Sequence, residues 1–160
     1  MTVDKHTYRL KTTEGKTKSI SLKTLYKLVY NKVFCIDNIS NENGEIWREI
    51  ADTDQRYYVS NKGRIKSYCK YEATILKPAV TQKGYERLQI VQDGITFNKF
   101  VHILVATAFP EDCGTPKDPT YQVHHINGNG QDNRSENLKW ISEIEHIKIH
   151  NQFVIATDKK

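Results

Sequence analysis

Four histidines in the last third of the chain are placed for chemistry. His124 and His125 are adjacent in Val123-His124-His125-Ile126, while His146 and His150 stand four positions apart downstream. Between them runs a polar stretch, Asn127-Gly128-Asn129-Gly130-Gln131-Asp132-Asn133-Arg134, with Asn-Gly occurring twice over. Two imidazoles at i and i+4 share one helix face and can grip one metal ion. A third imidazole from a nearby strand would complete a facial set, leaving positions open for water and a phosphate oxygen. Neighbouring strand residues point to opposite sides, so His124 and His125 must divide the work. One suits the metal; the other, left free beside a bound phosphate, suits a general base near neutral pH.

The elements that would position these side chains can be read around them. Val123 to Ile126 starts as a strand and dissolves into the Asn-Gly loop, whose turn chemistry cannot bury itself without many backbone hydrogen bonds. Leu138-Lys139-Trp140-Ile141 alternates as a short return strand, and Ser142 with Glu145 fits a capping box opening a helix. That helix carries His146 and His150. Upstream, Ile46-Trp47-Arg48-Glu49-Ile50, Tyr57-Tyr58-Val59-Ser60 and Arg64-Ile65-Lys66-Ser67-Tyr68 read as short strands, with turn residues at Asn61-Lys62-Gly63. Tyr85–Val91 and Thr96–Val101 flank Gln92-Asp93-Gly94, a strong hairpin signal, and Val101, Leu104, Val105 and Ala108 then fall on one helical face. The first segment gives a strand at Tyr8–Thr12, a turn at Glu14-Gly15, a strand at Lys18–Leu22, and helical spacing at Leu22, Leu25, Tyr26 and Val29. Gly15–Tyr30 also lies over Gly94–Phe109 without a gap, a faint repeat that any hairpin–helix unit would give.

Bulk properties narrow the class. The 160 residues carry a formal charge of +5, a weak hint of a polyanionic partner. No apolar run spans a bilayer and the start lacks a secretory signal, so the expectation is a cytoplasmic protein with no membrane partner. Cys35, Cys69 and Cys113 form no paired motif, which argues against a disulfide framework or a cysteine zinc site and leaves free thiols. Lys62, Arg64 and Lys66 cluster by one turn and are candidate phosphate contacts, as is Arg134 in the loop. Trp47 and Trp140 read as core anchors, His102 as a polar or packing contact, and His6 as irrelevant.

Val123-His124-His125-Ile126-Asn127-Gly128-Asn129, Asp132-Asn133-Arg134 and Glu136-Asn137-Leu138-Lys139-Trp140-Ile141 together resemble the HNH endonucleases common in phages and their introns. The middle run from Glu45 through Ser67 resembles the nuclease-associated modular DNA-binding motif that precedes this nuclease type, and Phe100–Phe109 looks like the helix just upstream of such sites. The resemblance implies a ββα-metal hairpin. It implies His125 as the base that activates water, with His124 and His146 in the positions of metal ligands. Asn137 would be the central Asn that pins the loop and orients the base, and His150 the final His, ligating metal or contacting phosphate. Homing relatives often carry a helix-turn-helix after the nuclease, for which this chain leaves no room, so long-site specificity is not expected.

The resulting expectation is an α+β fold, β-rich in its N-terminal and middle regions and ending in a C-terminal ββα-metal nuclease unit. Its segments are an accessory hairpin–helix (1–36), a linker (37–44), a β-rich DNA-binding region with a hairpin–helix (45–110), a loop (111–120), the nuclease motif (121–152) and a tail (153–160). The function implied is metal-dependent hydrolysis of DNA phosphodiesters, with a single site favouring nicking by a monomer. It calls for one divalent ion and no small-molecule cofactor. Three imidazoles favour Zn²⁺ or Mn²⁺ on softness, while family members also work with Mg²⁺. The setting would be the cytoplasm of a host cell if the chain is phage-encoded. The alternatives are a DNA-binding protein with an inactive HNH module, and a metal-stapled interaction protein.

Overall fold

A computed structural model describes residues 7–11, 17–21, 36–70, 72–92 and 94–149. Strands β1 (Thr7–Lys11) and β2 (Thr17–Ser21) pair antiparallel with Tyr8 opposite Ile20, as their alternating runs require. The Glu14-Gly15 turn, the helical spacing from Leu22 and with it the repeat, His6, Cys35, His150 and the tail lie outside the described residues.

The middle region builds two antiparallel sheets. The first is a meander of β3 (Trp47–Glu49), β4 (Tyr57–Ser60), β5 (Ile65–Ser67) and β6 (Thr74–Leu76), in that spatial order. Its β4–β5 turn is tight: Ser60 N–H donates to Arg64 O at 2.9 Å, and Gly63 sits at φ +83°, a left-handed conformation that glycine adopts without steric cost. The stretch 37–44, expected as a linker, is stitched along this sheet. Lys66 Nζ reaches Asp37 at 3.1 Å, and Trp47 Nε1 donates to Asn41 Oδ1 at 2.9 Å. The second sheet joins β7 (Ala79–Val80), β8 (Glu86–Gln92) and β9 (Ile95–Phe100), with Gln92 opposite Ile95 across the expected Asp-Gly turn. Sequence reading left out β6 and β7, because two- and three-residue strands are too short to show an alternation.

Helix α1 (Val101–Ala108) follows β9 directly and buries Val101, Leu104 and Val105, the face its spacing predicted. The stretch expected as a loop from 111 to 120 needs correction at its start, where Pro110–Cys113 forms a turn of helix, α2. Pro110 has the φ a first helical position needs, and Glu111 and Asp112 place negative charge by the helix start. Strands β10 (Gln122–His125) and β11 (Leu138–Ile141) then pair antiparallel, with a 3₁₀ turn at Ser135–Asn137 before β11. Helix α3 covers 143–149; Ser142 Oγ accepts Glu145 N–H at 3.2 Å, the N-cap bond of the capping box.

One core ties these pieces together. Val59 and Ile65 of the first sheet, Ile90 of the second, Val101, Val105 and Phe109 around α1, and Leu138 of β11 form a single buried cluster. Trp140 packs against it, as expected of an anchor, and its indole N–H donates to Ala106 O at 3.4 Å. Trp47 differs from expectation. It is half-buried and serves as a plate beneath Lys66 Nζ, 4.3 Å from its ring centroid, and Arg64, at 5.6 Å. Among the described residues no helix is long and apolar enough to cross a membrane, and Cys69 and Cys113 are free thiols.

Candidate active site

The loop between β10 and β11 is closed by its own asparagines. Asn137 Oδ1 accepts Asn127 N–H at 3.0 Å, while its Nδ2 donates to Asn127 Oδ1 at 3.1 Å and to Asp132 O at 2.8 Å. Asn127 and Asn129 each accept the N–H two residues on, at 2.9 and 3.1 Å, the local turns that asparagine favours. Arg134 braces the far side, with its Nε and Nη2 on the two Asp132 oxygens at 2.8 and 2.9 Å and Nη1 on Glu136 at 2.7 Å. The Arg134 hydrogen bonds hold the Asp132 carboxyl down at about 2. These bonds provide the backbone satisfaction that such a loop demands.

His125 ends β10 and is buried, with 5% of its surface exposed. Its Nε2 lies 3.1 Å from Asn133 Oδ1, and Asn133 Nδ2 donates to Glu86 Oε2 at 2.8 Å. A carboxylate only accepts, so Glu86 requires the amide NH₂ of Asn133 and turns the amide oxygen toward His125. The ring must therefore carry its proton on Nε2, which leaves Nδ1 as the lone pair. Tyr85 stacks on the same ring at 5.8 Å, and His102 meets it edge-on at 5.1 Å. His102 is itself buried beside Tyr85 and Phe100; burial first, and the neighbouring His125 second, lower its pKa to about 4.

His124, on the other side of β10, faces α3. Its ring and that of His146 approach at 5.5 Å between centroids, nearly perpendicular. Both histidines line a cleft of about 90 Å³ together with His125, Lys83, Tyr85, Gly128 and Gly130. The structure thus brings together three of the four histidines singled out from sequence. Two imidazoles converging from a strand and a helix at the mouth of an open cleft fit a divalent cation that keeps water and phosphate positions. Among the described residues no third His, Cys, Asp or Glu joins them; His150, the remaining candidate, falls outside those residues.

The basic residues divide. Lys66 is buried, with 4% exposed, its ammonium against Asp37 and the Trp47 ring. Arg64 Nη1 is paired with Glu45 at 2.9 Å and Glu42 at 3.3 Å. Arg134 holds the loop. Lys62, half-buried on the β4–β5 turn, has no carboxylate partner among the described residues. Several residues by the site were not singled out from sequence: Lys83 and Tyr85 at the cleft, and Glu86 behind Asn133. Nothing in their local pattern marks them, since all three come from the turn between β7 and β8 and the start of β8, distant in sequence from the hairpin they meet. Arg87, Gln89 and Asn98 were missed as well. The register pairs Gln89 with Asn98 on the face of β8–β9 opposite buried Leu88 and Ile90, and all three side chains are exposed.

A β-hairpin and helix that present histidines around one cleft, docked on a small β-rich unit through α1, define a class. A model described as HNH endonuclease matches residues 99–147, and one described as the NUMOD4 motif matches residues 45–91. The chain belongs to the HNH endonuclease family. It is similar to the DNA endonuclease I-HmuI of Bacillus phage SP01, at 31% identity over 111 residues, which are 69% of this chain and 59% of that protein. An uncharacterized HNH endonuclease of Acanthamoeba polyphaga mimivirus is 31% identical over 128 residues, 76% of this chain and 30% of the relative. A solved structure of I-HmuI, described as DNA binding and cleavage by an HNH homing endonuclease, superposes with a TM-score of 0.58 at 31% identity, covering 70% of this chain and 60% of that one. The chain thus spans about three fifths of the length of I-HmuI and 30% of that of the mimiviral relative.

Proposed function

We propose that the protein is an endonuclease that hydrolyses DNA phosphodiester bonds with one divalent metal ion, opening one strand at a time. The observation that carries this reading is the common cleft. A buried histidine whose Nε2 is held by Asn133, a pair of imidazoles and a lysine all line it. The relative I-HmuI, named a DNA endonuclease, supports DNA as the substrate.

On this reading His124 and His146 hold the ion, with His150 a further ligand or a phosphate contact. When bound, the ion supplies charge stabilisation at the phosphate and the leaving 3′ oxygen. Lys83 offers a cation at the rim for a non-bridging phosphate oxygen. His125 Nδ1 takes the proton of the attacking water. His102, kept neutral by burial, backs the base without adding a second positive charge. Asn137 keeps the loop closed beneath the cleft. Duplex DNA would also lie on the outer face of β8–β9. A two-stranded ribbon fits the major groove, and Arg87, Gln89 and Asn98 are the side-chain types that read base edges there. For a phage-encoded chain the place of action is then the cytoplasm of the host cell.

The test is conversion of supercoiled plasmid by wild type and His125→Ala with Mg²⁺, Mn²⁺ and Zn²⁺ in turn. The wild type should accumulate nicked circles, and the variant should be slower by about 10²- to 10⁴-fold. Equal conversion by both proteins rules out His125 as the base. Linear product with no nicked intermediate rules out strand-by-strand cleavage.

A further inference from the structure

Glu86 belongs to the β-rich module, within the stretch that matches the NUMOD4 motif, and not to the matched nuclease stretch. Yet its carboxylate is two hydrogen bonds from the ring of His125, through Asn133. Asn133 is 3% exposed and held from three directions. Glu86 takes its amide N–H at 2.8 Å, His125 meets its amide oxygen at 3.1 Å, and the Gly63 turn presses on its backbone so closely that a Cβ there would come within 2.9 Å of Asn133 Cβ. An asparagine amide is free to flip unless its surroundings distinguish O from N. Here the Glu86 carboxylate is the stronger discriminator, at 2.8 Å from Nδ2, while the neutral Gln131 carbonyl stands at 3.5 Å from the same nitrogen.

We propose that Glu86 is a positioning residue of the nuclease site: it fixes the Asn133 amide, which fixes His125 in the Nε2–H tautomer with Nδ1 available to water. The upstream module then does more than bind DNA, because it completes the geometry of the base. Without Glu86 the amide can turn its NH₂ to the ring, and His125 then presents Nε2 as acceptor and carries its proton on Nδ1, where it cannot accept one. This rests on the reading of His125 as the base, and the tautomer itself can be read without any cleavage.

Two measurements decide it. Long-range ¹H–¹⁵N correlation on the wild-type protein, without added metal or DNA, should show His125 as the Nε2–H tautomer; Nδ1–H overturns the proposal. Steady-state plasmid cleavage should fall about 10- to 100-fold in kcat, with KM little changed, for Glu86→Ala. Asn133→Asp should fall similarly, since two carboxylates then face each other. The double variant Glu86→Gln/Asn133→Asp reverses the polarity of the first bond. The new amide at position 86 donates to the new carboxylate at position 133, which still accepts from His125 Nε2–H. It should recover most of the wild-type rate. A double variant no better than the worse single one sinks the relay, as does wild-type activity in Glu86→Ala; a merely structural contact would leave His125 in the Nε2–H tautomer in Glu86→Ala, and that spectrum also overturns the proposal. Should Glu86→Ala not fold, the wild-type spectrum and the double variant still decide. Wild-type protein that cuts no DNA with any ion refutes the base assignment instead, and leaves the tautomer result standing on its own.

Discussion

Asn137 and His102 show how single side chains are spent around this cleft. Asn137 uses its amide on three loop groups and makes no hydrogen bond to the His125 ring. The resemblance implied that it orients the base; the residue hydrogen-bonded to the His125 ring is Asn133. Asn137→Ala should cost about 1–3 kcal/mol, because buried loop groups lose their partners. Differential scanning calorimetry will show this as a lower Tm, with plasmid cleavage falling in parallel. His102 gives a pH signature. Its folded pKa, about 4, lies below the ordinary value of 6.5, so the unfolded chain binds the extra proton between those limits. Its neutral burial therefore favours the fold fully above pH 6.5 and progressively less as pH falls toward 4. Urea midpoints should drop across that window in wild type and drop less in His102→Phe.

At the scale of elements, the β4–β5 turn is the part to test. Gly63 combines φ +83° with a contact on Asn133, and Asn61 O accepts Ser135 N–H at 2.9 Å. Gly63→Ala meets both a left-handed backbone and a clash with Asn133. It should lose about 1 kcal/mol or more in stability and slow cleavage, although residue 63 does not line the cleft. The readouts are a urea melt and single-turnover rate on the same preparation. Lys66, in the adjacent β5, should behave in the opposite sense to a phosphate contact. Lys66→Met removes a charge buried against Asp37 and Trp47, so DNA affinity should keep its salt dependence while the Tm changes.

For the whole molecule, one core spans both matched stretches, so the sheet and the nuclease hairpin should unfold together. On the proposed function, the DNA-binding surface is then a joint property. Fluorescence anisotropy against salt should show log K falling linearly with log [salt], with Lys62→Ala and Arg87→Ala each reducing the slope by about one. An unchanged slope in both would place the DNA on another face.

The sequence by itself determined the chemistry-bearing hairpin. The adjacent histidines, the Asn-Gly loop, the Asn137 position and the Ser142 cap are local signals, set by strand alternation, turn chemistry and helix spacing. For the same reason the β8–β9 hairpin and α1 were legible. Charge was the misleading signal, because Arg64 and Lys66 look like a basic patch until the chain folds residues 37–45 over them and brings carboxylates to each. What only the tertiary structure decided is which residues from other elements gather behind His125. Tyr85 and His102 meet its ring directly, and Glu86 meets Asn133 behind it, all from elements distant in sequence. A hydrogen bond chain from Glu86 to Asn133, 47 positions apart, leaves no trace in local periodicity, since it exists only once the shared core has docked one module against the other.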